Sequence, residues 1–536
     1  MATKQIKIHK MKNLKISLAA ILALSISFTT FTSCEEAVDG EDGINGVDGT
    51  NGLDGTDGQD GSDGKDYDYI DLSNPLTAST TPNFLKLTSA FSSATVTPIL
   101  SSEDVIPGAP DFVYGSMADG AGLLAEDDGT FTLINNIEAD YSIARITLNS
   151  DLQPAYGEYI LNASATGYTA QCSGSLVTPE EHGFGPLYLS GGEWGGASKG
   201  VFATNPYKSA QGADNGTLLP ALGQWSTENA VALNKEAFPG YTVILIGDDH
   251  SDNSEPSGQL GMYVSSTGNL TGGSLLGLKV DTAGIEYEMD MEEGVSYEAS
   301  FYPLEEREIN ALDAECKVNG VMGFSRLEDI DWRRGSAANN REIYFAVTGR
   351  DKDALKDKGT ISGRIYKVVL EETMFQSSVN GQANPNYLKA TITCVLDGDN
   401  VSGEAAEFLS PDNILVTENY AYIQEDPAIT GTGVKDHYAR LYQYDLVNGT
   451  LNVVAECDQV AAAAAGYGSE SSKWEITGMI DVTETVNNGE NTFLVITQNH
   501  GWEPADGSSF TDPTATFTTG SRAEGSVLHV ITGLER

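Results

Sequence analysis

The sequence predicts an all-β fold, arranged as a β-propeller and joined to an extended or disordered N-terminal tether. Three observations support this. No stretch after Asp66 keeps a helical period over four turns, and only residues 459–465 read as a short helix. A strand-like unit, a turn residue followed by alternating aliphatic and aromatic positions, recurs at 258–264, 273–280, 363–370, 439–446 and 525–531. Most copies have a partner strand upstream, at 241–246, 343–347, 420–424 and 493–497. Acidic motifs stand at or beside strand ends in several of these pairs, and a propeller is the all-β architecture that brings such loops to one central funnel. An array of β-sandwiches is the structural alternative.

Composition narrows the function classes. The 536 residues carry 30 Lys and Arg against 77 Asp and Glu, a net charge of −47. Such a surface repels a polyanion, which excludes a nucleic-acid binder. Hydrophobic residues at 40% and aromatics at 8% supply a large core, which excludes disorder of the whole chain. Five Cys are too few for a disulfide framework.

Residues 1–33 read as a secretory signal. Lys4, Lys7, Lys10, Lys12 and Lys15 form a basic start, and Ile16 to Phe28 is an apolar run too short to span a bilayer. The run ends at Phe31-Thr32-Ser33-Cys34, which resembles a bacterial lipobox with Cys34 as the lipidated residue. The alternative is an ordinary cleaved signal with an incidental Cys. Glu35 and Glu36 follow directly and resemble the surface-export signal of Bacteroidetes-type lipoproteins. The expected location is therefore the outer membrane, on the cell surface.

Residues 34–66 form an acidic linker. Gly recurs at every third position from Gly40 to Gly64, preceded mostly by Asp or Asn. The period resembles bacterial collagen-like repeats. A collagen triple helix also needs imino acids, and this run has no Pro. An extended, self-repelling spacer on a monomer is the favoured reading. A trimerising stalk and calcium bridging of the Asp side chains are the alternatives.

The body, residues 67–536, holds the candidate site residues. They fall in Ser173–His182, with the pair Glu180 and Glu181; in Gln224–Leu233, with Glu228; and in Phe324–Trp332, with Arg326 and Glu328. Further motifs are Pro411-Asp412-Asn413, Gln424-Glu425-Asp426-Pro427, and Trp474 with Gln498-Asn499-His500. Each alone reads as a turn cap or a solvated carboxylate. In this order they resemble the PhoX-type alkaline phosphatases and their relatives, over about residues 105–535. The resemblance implies a six-bladed propeller with calcium and iron in its funnel, acting on phosphate esters. It implies metal ligands at Glu180, Glu181, Glu228, Glu328, Asp412, Glu425 and Asp426, and a catalytic role for Arg326 and Glu328. Two positions depart from the family pattern. Its Cys ligand aligns with Pro179, and the His of its Ser-His-Glu is Thr227. An all-oxygen cage favours calcium over iron. The resemblance implies a phosphorylated small molecule as substrate. A non-catalytic, calcium-stabilised propeller that binds a surface ligand is the alternative.

The acidic loop 247–258 reads as a solvated hairpin loop or a further calcium site. Trp225, Trp332 and Trp474 read as packing residues between sheets.

Overall fold

The computed structural model describes residues 72–196, 198–250, 252–375, 389–427, 436–515 and 524–536. Cys34, the leader and the glycine-rich linker lie outside the described residues. Alternating apolar strands separated by polar turns fold into five antiparallel sheets. The first has four strands, Ala118–Ala125, Phe131–Ile137, Ser142–Leu148 and Pro154–Leu161. The second has three, Thr169–Val177, Leu187–Gly195 and Gly200–Thr204. The third has nine, running from Thr227–Ala232 at one end to Leu327–Trp332 at the other, with Ser296–Leu304 paired to Lys389–Asp397 in its middle. The fourth starts at Pro411–Val416 and the fifth at Glu475–Asp481.

The chain closes on itself. Leu85–Leu87 pairs with Leu451–Cys457 at the outer edge of the fourth sheet, and Thr95–Ser101 pairs with Gly525–Thr532 at the outer edge of the fifth. Both edges are thereby covered by strands from the start of the described chain.

Six inner strands ring a central axis: Ala118–Ala125, Thr169–Val177, Thr227–Ala232, Leu327–Trp332, Pro411–Val416 and Glu475–Asp481. Each packs on the next, and the last packs on the first. This is a propeller-like arrangement in which six separate blades are not seen. Four blades stand alone, and the nine-stranded sheet fills the remaining arc as one continuous, nearly closed surface.

The expected hairpins form. Tyr241–Asp248 pairs with Leu260–Ser266, Glu342–Val347 with Arg364–Leu370, and Tyr420–Glu425 with Arg440–Asp445. Trp225, Trp332 and Trp474 are almost wholly buried in separate apolar clusters, as packing residues should be. The short helix is Gln459–Ala465. Ile309–Asn319 is a second helix that periodicity did not reveal, because it buries only Leu312 and Cys316 and ends at Gly320 with φ 70°. Cys172, Cys316, Cys394 and Cys457 are buried, free thiols, so no disulfide joins them.

Candidate metal centre

All six inner strands carry the same irregularity. Three steps along the inner strand match two along its neighbour, as between Thr227 and Ala230 against Asp248 and Ile246. Each bulge therefore holds one extra residue, which bends the strand and re-aims its side chains. The bulges hold Asp119-Gly120, Cys172-Ser173, Glu228-Asn229, Glu328-Asp329, Asp412-Asn413 and Gly478-Met479.

In five of the six, the first bulge residue lines one funnel-shaped cavity of about 620 Å³: Asp119, Cys172, Glu228, Glu328 and Asp412. The sixth is Gly478. Its φ is 58°, and a Cβ there would stand 2.5 Å from the Asp119 carbonyl oxygen. No side chain fits, and Glu475 at the start of that strand lines the cavity instead.

The second strand of four of the sheets adds to the wall. Glu138, Asp426 and His500 lie just past strand ends, and Glu193 lies within Leu187–Gly195; all four line the cavity. Backbone bonds fix the strand ends. Glu138 N donates to Met117 O (2.9 Å) and Asp426 N to Ser410 O (3.0 Å). Met117, Arg326 and Ser410 each precede an inner strand with φ of 56°, 66° and 57°. Left-handed backbone is costly for such residues and clusters where a site needs it.

Among the described residues, nine carboxylates line the cavity, together with Arg326, Lys473 and His500. Arg326 Nη2 donates to Asp249 Oδ2 (2.7 Å) and lies 3.0 Å from Glu328 Oε1. Glu328 Oε1 and Asp249 Oδ1 are buried and accept no hydrogen bond. Burial pushes the carboxyls of Asp119, Glu193, Glu228, Glu328, Asp412 and Glu475 well above the usual range, and their mutual repulsion adds to it. Burial, then the charge of Glu138, pushes the Cys172 thiol up in the same way.

Burying this many carboxylates close together is expensive, and a bound cation lowers that cost. The donor sets fit such ions. Glu228, Glu328 and Asp412 place three carboxylate oxygens within 4.8 Å of one another, and Cys172, Glu193 and Glu228 do the same with a thiol. Asp119, Glu138 and Cys172 form a third group, and Asp426, Glu475 and His500 a fourth.

Behind the funnel lies a belt of buried polar residues. Asn413 donates to Ser173, Thr477 to Asp119 and to Asn413, and Asn229 to Asp329. Beyond it, the far ends of the inner strands open into a second cavity of about 560 Å³.

The structure brings Glu228, Arg326, Glu328, Asp412 and Asp426 together and leaves three expected ligands out. Glu180 and Glu181 sit on the short helix Pro179–His182 at the second cavity, beyond the belt. Glu425 is fully buried within its own sheet, where it accepts from Leu409 N (2.8 Å), Arg440 N (3.1 Å) and Tyr442 Oη (3.2 Å). Adjacent strand residues face opposite ways, so Asp426 reaches the funnel and Glu425 cannot. Pro179 is likewise not at the funnel. Cys172 is, with Sγ 3.0 Å from Glu193 Oε2. In the loop 247–258, Asp249 holds Arg326, while Asp252 and Glu255 gather on Lys317.

Asp119, Glu138, Cys172, Glu193, Glu475, His500 and Glu524 also line the funnel. A polar or small pair interrupting the start of an apolar strand was the signal for two of them, Asp119-Gly120 and Cys172-Ser173.

No family model and no curated protein matches the chain. Among solved structures, the chain is similar to Pseudomonas fluorescens PhoX in complex with vanadate, a transition state analogue. The TM-score is 0.56 at 13% identity, over 85% of this chain and 97% of that one. Fainter likenesses are to the AfRom2 CNH domain (TM-score 0.32, 10% identity, 81% and 98% covered) and to the catalytic domain of a Coprinopsis cinerea GH62 α-L-arabinofuranosidase (0.27, 10%, 67% and 95%). Scores that low carry no argument. What the chain shares with PhoX is the fold.

Proposed function

We propose that this protein is a cell-surface, metal-dependent phosphoesterase that hydrolyses extracellular phosphate monoesters, as an alkaline phosphatase does. The observation that carries the proposal is the meeting of Arg326 with the bulge carboxylates Glu228, Glu328 and Asp412 in one funnel. A phosphate monoester is a dianion and cannot approach nine carboxylates unless cations reverse the local field. Calcium suits the all-oxygen group Glu228, Glu328 and Asp412. Iron suits the group with Cys172, Glu193 and Glu228, because thiolate favours a transition metal. The departure at Pro179 therefore no longer argues against iron.

When bound, such ions would supply positive charge to the phosphoryl oxygens and a water of lowered pKa. The chain does the rest. Both ion pairs of Arg326 pass through Nη2, which leaves the Nη1 and Nε hydrogens of its guanidinium for phosphate oxygens. Asp249 holds that guanidinium in position. Trp194 donates from Nε1 to Glu138 Oε1 (2.8 Å), which fixes an aromatic wall beside the substrate. The polar belt keeps the funnel floor apart from the far cavity.

The six repeated bulges favour counting the nine-stranded sheet as two fused blades, which gives a six-bladed propeller. The lipobox at Cys34, the acidic residues after it and the glycine-rich spacer support anchoring at the outer membrane with the body outside.

The test is hydrolysis by the full chain, stripped of metal, then supplied with calcium, then with calcium and iron, on monoesters and diesters in parallel. Turnover restored by metal is the expected result. No turnover under any of these conditions would leave a metal-stabilised binding propeller.

A further inference from the structure

His500 is the one imidazole that lines the funnel, and its surroundings set it in a particular way. Its Nδ1 lies 2.7 Å from Glu524 Oε2, and the other oxygen of Glu524 accepts from Gly501 N (3.0 Å). The carboxylate is thus held at both oxygens and accepts a hydrogen bond from Nδ1–H. That tautomer leaves the Nε2 lone pair free, and Nε2 faces Glu475 Oε2 at 3.9 Å. A histidine held by a carboxylate behind it is the usual arrangement of a metal-binding imidazole.

A second observation concerns the carboxylate. Glu475 is 7% exposed and, among the described residues, has His500 Nε2 at 3.9 Å beside it but accepts no hydrogen bond. A carboxylate this buried, lining a cavity without a hydrogen-bond donor, suits a cation. Asp426, 8% exposed, completes the set, and the three ligand atoms lie within 4.8 Å of one another.

We infer that Asp426, Glu475 and His500 form a separate site for a divalent transition-metal ion, with Glu524 as the residue that orients the imidazole. Mixed nitrogen and oxygen donors suit zinc, ferrous iron or a similar ion better than calcium. The funnel would then hold three kinds of donor set: all-oxygen at Glu228, sulfur-bearing at Cys172 and nitrogen-bearing at His500. The inference rests on the reading of the funnel as a metal centre.

The test uses zinc as probe and the full chain, chelator-stripped, in a Cys172→Ser background that removes the thiolate site. Zinc binding is followed by calorimetry, with bound zinc and calcium counted by elemental analysis and folding checked by circular dichroism. His500→Ala should lose one zinc equivalent and keep its calcium. Glu524→Gln should keep the equivalent and bind it about 10- to 100-fold more weakly. Unchanged zinc count and affinity in both variants would overturn the site. If His500→Ala fails to fold, Glu524→Gln decides alone, by the same affinity change or its absence. None of these readings measures hydrolysis. A zinc site without turnover would sink the phosphoesterase reading and spare this one, and turnover with an unaltered zinc count would do the reverse.

Discussion

The two mouths of the central channel are built from opposite ends of the same six strands, yet they handle charge differently. At the far mouth the chain answers its own acids. Arg334 pairs with Asp331, donates to the carbonyls of Trp332 (2.9 Å) and Val416 (2.7 Å), and lies over the Trp332 ring at 4.2 Å. Arg536 pairs with Asp481 (2.5 Å) and Glu484 (2.8 Å). At the funnel, among the described residues, nine carboxylates stand against Arg326 and Lys473 on the wall, with Lys199 near Glu193. The far mouth pairs Asp331, Asp481 and Glu484 with arginines, while acids predominate at the funnel. An excess of buried acids of this kind suits bound ions.

The comparison breaks most readily by removing the ions. Chelation should abolish hydrolysis, by at least about a thousandfold, and lower the melting temperature, since ions that bind only the folded chain stabilise it by about 4 kcal/mol at a thousand times Kd. Parallel rate and melting measurements check this. If chelation changes neither, the two mouths do not differ as argued.

Next in size is a paired substitution. Arg326→Ala should cost roughly 10²- to 10³-fold in kcat/KM, the usual loss on removing one preorganised partner of developing charge. Arg334→Ala should leave kcat/KM within about threefold while lowering the melting temperature, because its partners are structural. Steady-state kinetics and thermal melts on both variants separate catalysis from scaffold.

Cys172→Ser should lower bound iron while leaving calcium in place, which elemental analysis reads directly. Equal iron in both proteins would remove the thiolate from the centre.

The belt between the mouths adds a pH dependence to the metal-free chain. Burial raises the Asp329 carboxyl to about 7. The folded chain then holds this proton through a window, from about 4 to about 7, in which the unfolded chain has lost it. Raising the pH through that window favours unfolding, by up to roughly 4 kcal/mol for a group moved from 3.8 to about 7. Urea unfolding at pH 5 and pH 8 should show the acid side more stable, with a smaller difference in Asp329→Asn.

The smallest expected effect is at the far mouth. Glu180→Gln and Glu181→Gln should change kcat/KM less than about twofold and stability within about 0.5 kcal/mol. A large loss of activity in either would restore them as ligands.

Much of this was legible in the sequence. The strand pairs and the short helix follow from local alternation, which a one-dimensional pattern records. Arg326, Glu328, Glu228, Asp412 and Asp426, whose motifs stand at strand starts and ends, meet at one funnel. Glu425 faces away from it, because adjacency in sequence does not tell which face a strand residue takes. Glu180 and Glu181 lie at the far mouth, because a pair of acids after an apolar run reads the same at either end of a strand. Cys172, seven residues before Pro179, reads in sequence as part of a preceding strand or turn that could replace the family thiolate only if the loop folds back. Its place at the funnel depends on a bulge, and an extra residue in one strand is defined only against the register of its partner. Glu138, Glu475 and His500 come from three separate stretches that only closure of the ring brings together.

The bulges also say how such a centre can change over generations. Each donor occupies an extra residue outside the regular ladder, so replacing it leaves the pairing of the sheet intact. Five positions can therefore be exchanged one at a time, each by a single codon, without altering the scaffold that presents them. Position 478 is closed to any side chain, since a Cβ there would stand 2.5 Å from the Asp119 carbonyl oxygen, and the strand still closes the ring. The donor set of the funnel can thus change far faster than its architecture.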